Sequence, residues 1–132
     1  MAKGKRTPRP ASLLDIYPTL VDLSGGKISK HLNGKSLVSW LRNPNADFKT
    51  PAITTHGPGN HAVQSEYWRY IRYANGSEEL YDHRKDPNEF TNLAGQSKYG
   101  SIVDEHASSL PKAEVSLDPA YKVPEKYQTP KR

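Results

Sequence analysis

The sequence predicts an α+β fold: a small antiparallel sheet of about four strands with a C-terminal helix packed on it. Three observations predict it. From Tyr67 to Tyr73 the chain is aromatic and alternates, which puts Trp68, Tyr70 and Arg72 on one strand face and Arg69, Ile71 and Tyr73 on the other. Asn75-Gly76 follows, the pair suited to a type I′ turn, and Glu79-Leu80-Tyr81 returns as a second strand. Farther on, Tyr99, Ile102, Val103, His106 and Leu110 recur on one helical face. That spacing predicts a helix over 98–110, capped by Ser97, ended by Pro111 and laid across the sheet.

The remaining elements follow in chain order. Residues 1–11 are polar, basic and proline-containing, which predicts an extended or disordered arm or linker. A helical segment occupies 12–48. Ser12 to Asp15 has capping-box spacing, and Leu13, Ile16, Tyr17, Leu20 and Leu23 share one face of a helix closed by Gly25-Gly26. Pro18 is awkward deep in a helix, which favours Asp15 as the cap. Ser36 is read as the cap of a short helix through Leu41. Ala52 to Thr55 and His61 to Gln64 read as two further strands of a unit spanning 49–110. Asp86, Pro87 and Glu89 have the spacing of a capping box, which predicts a short helix with Phe90 and Leu93 inward and Gly95 at its end. Residues 111–132 hold four prolines and little periodicity, as an extended or disordered tail would.

Composition narrows the function. The 132 residues make one domain at most. Counting glycine and leaving out tyrosine, about 35% of the chain is apolar, against about 45–50% in ordinary globular domains, which fits a modest core with tails. The net charge of +5 is uneven. Lys3, Lys5, Arg6 and Arg9 account for four of the 19 basic side chains, leaving 15 against 14 acidic ones. A nucleic-acid domain carries its basic face on the folded part, so nucleic acid is not the expected partner. No apolar run reaches the length of a membrane span, and no signal peptide is visible. The chain has no cysteine, which excludes disulfides and a thiol nucleophile.

Several candidate motifs fail on inspection. Gly34-Lys35-Ser36 ends like a Walker A motif, but Ser29 stands where the earlier glycine belongs. The histidines at 31, 56, 61, 83 and 106 lack zinc-site spacing, and Asp82 and Asp86 are placed for a turn and a cap rather than a calcium site. What can bind is the loop His56-Gly57-Pro58-Gly59-Asn60 and the strand behind it. His56, Asn60, His61 and Gln64 can present polar groups to a charged ligand, or can simply hydrogen-bond locally at the strand ends.

The run Trp68–Tyr73, Gly76, Glu78–Asp82, Asp86, Pro87, Glu89 and Asn92–Ala94 resembles the C-terminal part of type I sulfatases of the alkaline phosphatase superfamily. The likeness is to the iduronate-sulfatase-like or choline-sulfatase-like branch. The segment Ser12–Gly25 is similar to one that leads, in that family, from the catalytic domain to the C-terminal one. The resemblance implies a C-terminal subdomain of a larger α/β sulfatase fold, with 12–48 as the junction. The parent enzyme would hydrolyse a sulfate ester of a sugar or of choline in the periplasm or outside the cell. Its formylglycine nucleophile, made within a C/S-x-P-x-R motif, and its calcium ion would lie in an N-terminal domain. In this chain only Ser109-Leu110-Pro111-Lys112-Ala113 approaches that motif, and it lacks the arginine. No catalytic residue and no metal ligand is expected here, and the chain alone should be inactive. The expected partners are the N-terminal catalytic domain and a sulfated small molecule or sugar. Two other readings are a small basic binding module using the 1–10 arm and the Trp68/Tyr70 strand, and an adaptor docking through the 12–24 helix.

Overall fold

Residues 3–47 and 50–112 are described by a computed structural model. Four strands run as an antiparallel meander in the order β1 (Ala52–Thr55), β2 (His61–Gln64), β3 (Trp68–Arg72) and β4 (Glu78–Asp82). Helices α1 (Ile16–Leu23) and α2 (Val38–Arg42) precede the sheet, and α3 (Gly100–Ala107) follows it. No helix among the described residues is long and apolar enough to cross a membrane.

The alternation in the sequence builds the core directly. Ile53, Val63, Tyr70 and Leu80 lie opposite one another across all four strands. Side chains on one strand face recur every second residue, so this row faces α3, which adds Val103. Val63, Tyr70 and Leu80 are fully buried, and Trp68, Leu93, Tyr99, Ile102 and Leu110 close the rim. The α+β architecture and the helix face are those the sequence predicts.

The hairpin between β3 and β4 differs from the expected turn. The Tyr73 N–H donates to the Ser77 carbonyl and the Gly76 N–H to the Tyr73 carbonyl, both at 2.9 Å, leaving the three-residue loop 74–76. Of the Asn75-Gly76 pair only Gly76 has positive φ, at 83°. That is a type I turn closed by a left-handed glycine, not the type I′ turn. The core decides between them. A two-residue loop would shift the register by one and place Leu80 opposite Ile71, on the wrong face. The observed register sets Leu80 opposite Tyr70.

Residues 86–95 form no helix. Pro87 lies in a turn closed by the Glu89 N–H on the Asp86 carbonyl, and Glu89 takes φ 59°. Phe90 is 85% exposed, while Leu93 reaches the core. The chain is drawn along the edge of β4. Asn92 Oδ1 accepts from the Leu80 N–H at 3.1 Å, its Nδ2 donates to the Glu78 carbonyl at 3.0 Å, and the Leu93 N–H donates to the Leu80 carbonyl at 2.9 Å. The last helix is also shorter than expected. A 3-10 turn over Ser97–Tyr99 precedes α3, Ser97 is not its cap, and Leu110 packs from beyond the helix end.

Ahead of α1, Ser12 and Asp15 form the expected capping box, around a 3-10 turn over Leu13–Asp15. Asp15 does not cap α1 with its side chain. Its carboxylate instead accepts from the N–H groups of Ser12 and Lys35, both at 2.9 Å. Ser36 Oγ accepts from the Val38 N–H at 3.2 Å at the start of α2. Arg9 of the basic arm pairs with Glu66 at 3.5 Å and donates to the Ala46 carbonyl.

Candidate functional site

The β1–β2 loop is shaped by glycine at positions where only glycine is unstrained. Gly57 and Gly59 have φ of 70° and 73°, and the His56 N–H donates to the Asn60 carbonyl at 2.9 Å across the turn. A Cβ on Gly59 would lie 3.0 Å from Ala74 Cα, so this loop sits directly on the β3–β4 loop. Asn60 joins the two: its Oδ1 accepts from the Ala74 N–H at 3.1 Å, and its Nδ2 donates to the Pro58 carbonyl at 3.0 Å. His56 is exposed at the loop. His61 is buried, and its Nδ1 lies 2.9 Å from Thr55 Oγ1.

Gln64 is elsewhere. It stands at the other end of β2 and on the opposite face from His61, because residues three apart in a strand point opposite ways. Its Nε2 donates to the Ser65 carbonyl and to His83 Nδ1, both at 3.2 Å. His83 Nε2 in turn lies 2.7 Å from Glu89 Oε1, the same oxygen that accepts from Arg69 Nη1 at 3.2 Å. The four sequence-derived candidates therefore divide: His56, Asn60 and His61 share one end of the sheet, and Gln64 joins a separate Gln64–His83–Glu89–Arg69 chain. Glu89 was legible only as part of a capping box and His83 only as a histidine without zinc-site spacing, since nothing local foretells a residue pairing with a strand 20 positions away.

At the Gln64 end the sheet carries a second polar cluster. Arg84 donates to both oxygens of the buried Asp82 carboxylate at 2.7 and 2.8 Å, and its guanidinium lies 5.1 Å from the ring centres of Tyr67 and Trp68. Those hydrogen bonds hold the Asp82 carboxyl below its usual range. Nearby, Ser65 Oγ lies 2.9 Å from His106 Nε2 beside a cavity of about 280 Å³. Among the described lining residues, Asp47, Glu66 and Glu105 stand against the guanidinium of Arg9, an acidic balance that disfavours a sulfate. Among the described residues, no three His, Asp or Glu side chains converge as a metal site requires.

What the described residues assemble is a sheet-and-helix subdomain with a braced polar loop. The family model for N-sulphoglucosamine sulphohydrolase, C-terminal, matches residues 2–116, and the chain belongs to that family. A sulfatase of Formosa agariphila is 41% identical over 118 residues, covering 89% of this chain and 23% of the relative. A Delta 4,5-hexuronate-2-O-sulfatase of Bacteroides thetaiotaomicron is 36% identical, covering 74% of this chain and 22% of the relative. Among solved structures, a 2-O GAG sulfatase superposes with a TM-score of 0.55 at 30% identity, over 71% of this chain and 22% of that one. The chain thus spans less than a quarter of the length of these relatives, 23% and 22% of the two curated ones. The sulfatase resemblance read from residues 67–95 extends over most of the sequence.

Proposed function

We propose that the chain serves as the C-terminal subdomain of a sulfate ester hydrolase of the iduronate-sulfatase-like branch, acting on a sulfated sugar. The observation that carries this reading is the match of residues 2–116 to a sulfatase C-terminal family. The names of the relatives, a hexuronate-2-O-sulfatase and a 2-O GAG sulfatase, favour a sugar over choline sulfate. The formylglycine nucleophile and the calcium that stabilises charge on the sulfate oxygens are assigned to an N-terminal catalytic domain. The sequence holds no complete C/S-x-P-x-R motif, and among the described residues no three His, Asp or Glu side chains converge on a metal position.

In this reading the chain supplies the substrate rim and a brace. His56 is the contacting residue, with a ring free to donate and accept hydrogen bonds at an exposed loop. Asn60 is a positioning residue that ties this loop to the 74–76 loop. The nucleic-acid alternative loses its platform, because Tyr70 is fully buried and the Trp68 ring is engaged by Tyr99 and Arg84.

The test uses two proteins: the pure 132-residue chain, and a chimera in which residues 2–116 replace the matched region of the Formosa agariphila sulfatase. The chain alone should not turn over an aryl or sugar sulfate, and the chimera should. His56→Ala in the chimera should raise KM about 10-fold with kcat little changed, the mark of lost uniform binding. Turnover by the chain alone, or a folded chimera without turnover, would overturn the reading.

A further inference from the structure

The positive charge of the chain is confined to one part of it. Residues 1–47 hold eight basic and three acidic side chains, whereas residues 48–132 hold eleven of each, so the net charge of +5 belongs entirely to the segment ahead of the sheet. Lys27, Lys30, His31 and Lys35 gather in the connection between α1 and α2, and all four are exposed. Among the described residues none of these lysines has a carboxylate partner; Lys35 Nζ donates to Thr50 Oγ1 at 3.0 Å. Cations so close repel one another, and a free loop would spread them. This loop is clamped onto α1 instead. The Asp15 carboxylate accepts from the Lys35 N–H and Thr19 Oγ1 from the Leu37 N–H, both at 2.9 Å, and Ser36 donates to the Asp22 carboxylate. Gly34 passes so near the start of the helix that a Cβ there would lie 1.9 Å from the Leu14 carbonyl oxygen. The clamp thus occupies Asp15 and Asp22 and turns the cationic side chains to solvent.

The basic arm lies beside this loop. Thr50, which accepts from Lys35, lines the same cavity as Arg9. Arg9 is engaged by Glu66 and the Ala46 carbonyl, which anchors the arm there, and Lys3, Lys5 and Arg6 ahead of it are exposed. The acidic lining keeps an anion out of the cavity itself, so a polyanion meets the cations on either side of it. We propose, resting on the sulfated-sugar function above, that the 27–35 loop and the arm hold a sulfated polysaccharide chain outside the residue that reacts. Many weak charge contacts, each releasing counterions, keep such a polymer at the enzyme between turnovers. Charge alone would also suit a nucleic acid. The surface is poor in what that partner needs: neither 3–9 nor 27–35 contains a Phe, Tyr or Trp on which a base could stack. Its loop cations are mainly lysines, point charges that suit a flexible run of sulfates.

The test is calorimetric titration of the 132-residue chain with dextran sulfate over a series of salt concentrations. Uncharged dextran and a single-stranded oligonucleotide serve as comparisons. The chain should bind dextran sulfate with an affinity that falls steeply with salt, and should not bind dextran. Replacing Lys27, Lys30 and Lys35 together by Gln should weaken binding about 10-fold at low salt and lower the slope of log Kd against log salt by about 2. Deleting residues 1–6 should lower that slope by a similar amount, by a change that leaves the clamp untouched. Replacing the exposed Lys85, Lys98 and Lys112 by Gln removes the same charge from the sheet unit and should change the affinity less than about 2-fold. Equal losses in the two triple variants would overturn the proposal, since binding would then follow total charge. Tighter binding of the oligonucleotide would overturn it in favour of nucleic acid. The chimera should show the same dependence on the loop lysines. A chimera that hydrolyses its sulfate without that dependence would overturn the surface and leave the function standing. Lysine-dependent binding by a chimera without turnover would support the surface, and the proposed function would fail instead.

Discussion

The sheet unit over 50–112 and the helical segment over 12–47 carry equally regular apolar patterns and meet opposite fates. In the sheet, Val63, Tyr70 and Leu80 form one transverse row with no exposure, and α3 covers it from within the same chain. In α1 and the 3-10 turn before it the stripe from Leu13 to Leu23 faces solvent, and the buried positions are Pro18 and Thr19. Periodicity specifies which face must leave water, not what will cover it. The contrast separates a face that this chain covers itself from one that it leaves open among the described residues.

The comparison breaks most visibly if the sheet does not behave as a closed core. Leu80→Ala removes a fully buried side chain at the centre of the row and should cost about 2–5 kcal/mol, read as a fall in the urea midpoint at unchanged slope. A loss below about 1 kcal/mol would mean that the core is not organised around Tyr70 and Leu80.

Asp82→Asn should cost about 1–3 kcal/mol at neutral pH, because it removes a charge-assisted pair from a buried carboxylate while the half-exposed Arg84 stays partly solvated. The sign with pH follows from the lowered folded pKa, caused first by the hydrogen bonds from Arg84. Such a group contributes fully above the unfolded carboxylate value of about 3.9 and loses its contribution as pH falls through the lower folded value. Midpoints of wild type and Asp82→Asn should therefore differ above about pH 4 and converge below it. A constant difference down to strong acid would remove the pair from the account.

Gly34→Ala sharpens the comparison from the other side. The new Cβ would meet the Leu14 carbonyl, so α1 should loosen from its clamp at a local cost of about 1–3 kcal/mol. Hydrogen exchange should show lost protection in α1 with the β3 and β4 amides unchanged. Unchanged α1 protection would mean that Gly34 does not hold the helix. The smallest effect is expected at the open stripe. Leu20→Ser should leave the stability of the isolated chain within about 0.5 kcal/mol and reduce binding of an apolar fluorescent dye. A large loss of stability would show that α1 is covered within this chain.

Read from the sequence alone, much of this protein was already determined. The strands at 52–55 and 61–64 stand where Ala52–Thr55 and His61–Gln64 were expected, and the aromatic alternation of 67–73 set Tyr70 on the face opposite Ile71, though only the structure shows that the Tyr70 face is the buried one. The Ser12/Asp15 capping box, the apolar stripe of α1 and the inward set Ile102, Val103 and His106 were legible too. These features are short-range, and period, capping and burial all point the same way in them.

Tertiary structure decided the rest, wherever a local preference worth about 1 kcal/mol met a long-range demand worth more. The Asn75-Gly76 pair yielded its two-residue turn to the register that places Leu80 beside Tyr70. The capping box at Asp86 and Glu89 gave way because Glu89 pairs with His83 and Arg69, and because Asn92 is bound along β4. Gln64 left the loop residues it follows in sequence because strand geometry turns it to the other face, where His83 meets it. Residues near in sequence share a propensity, but only the packed sheet determines which of them share a site.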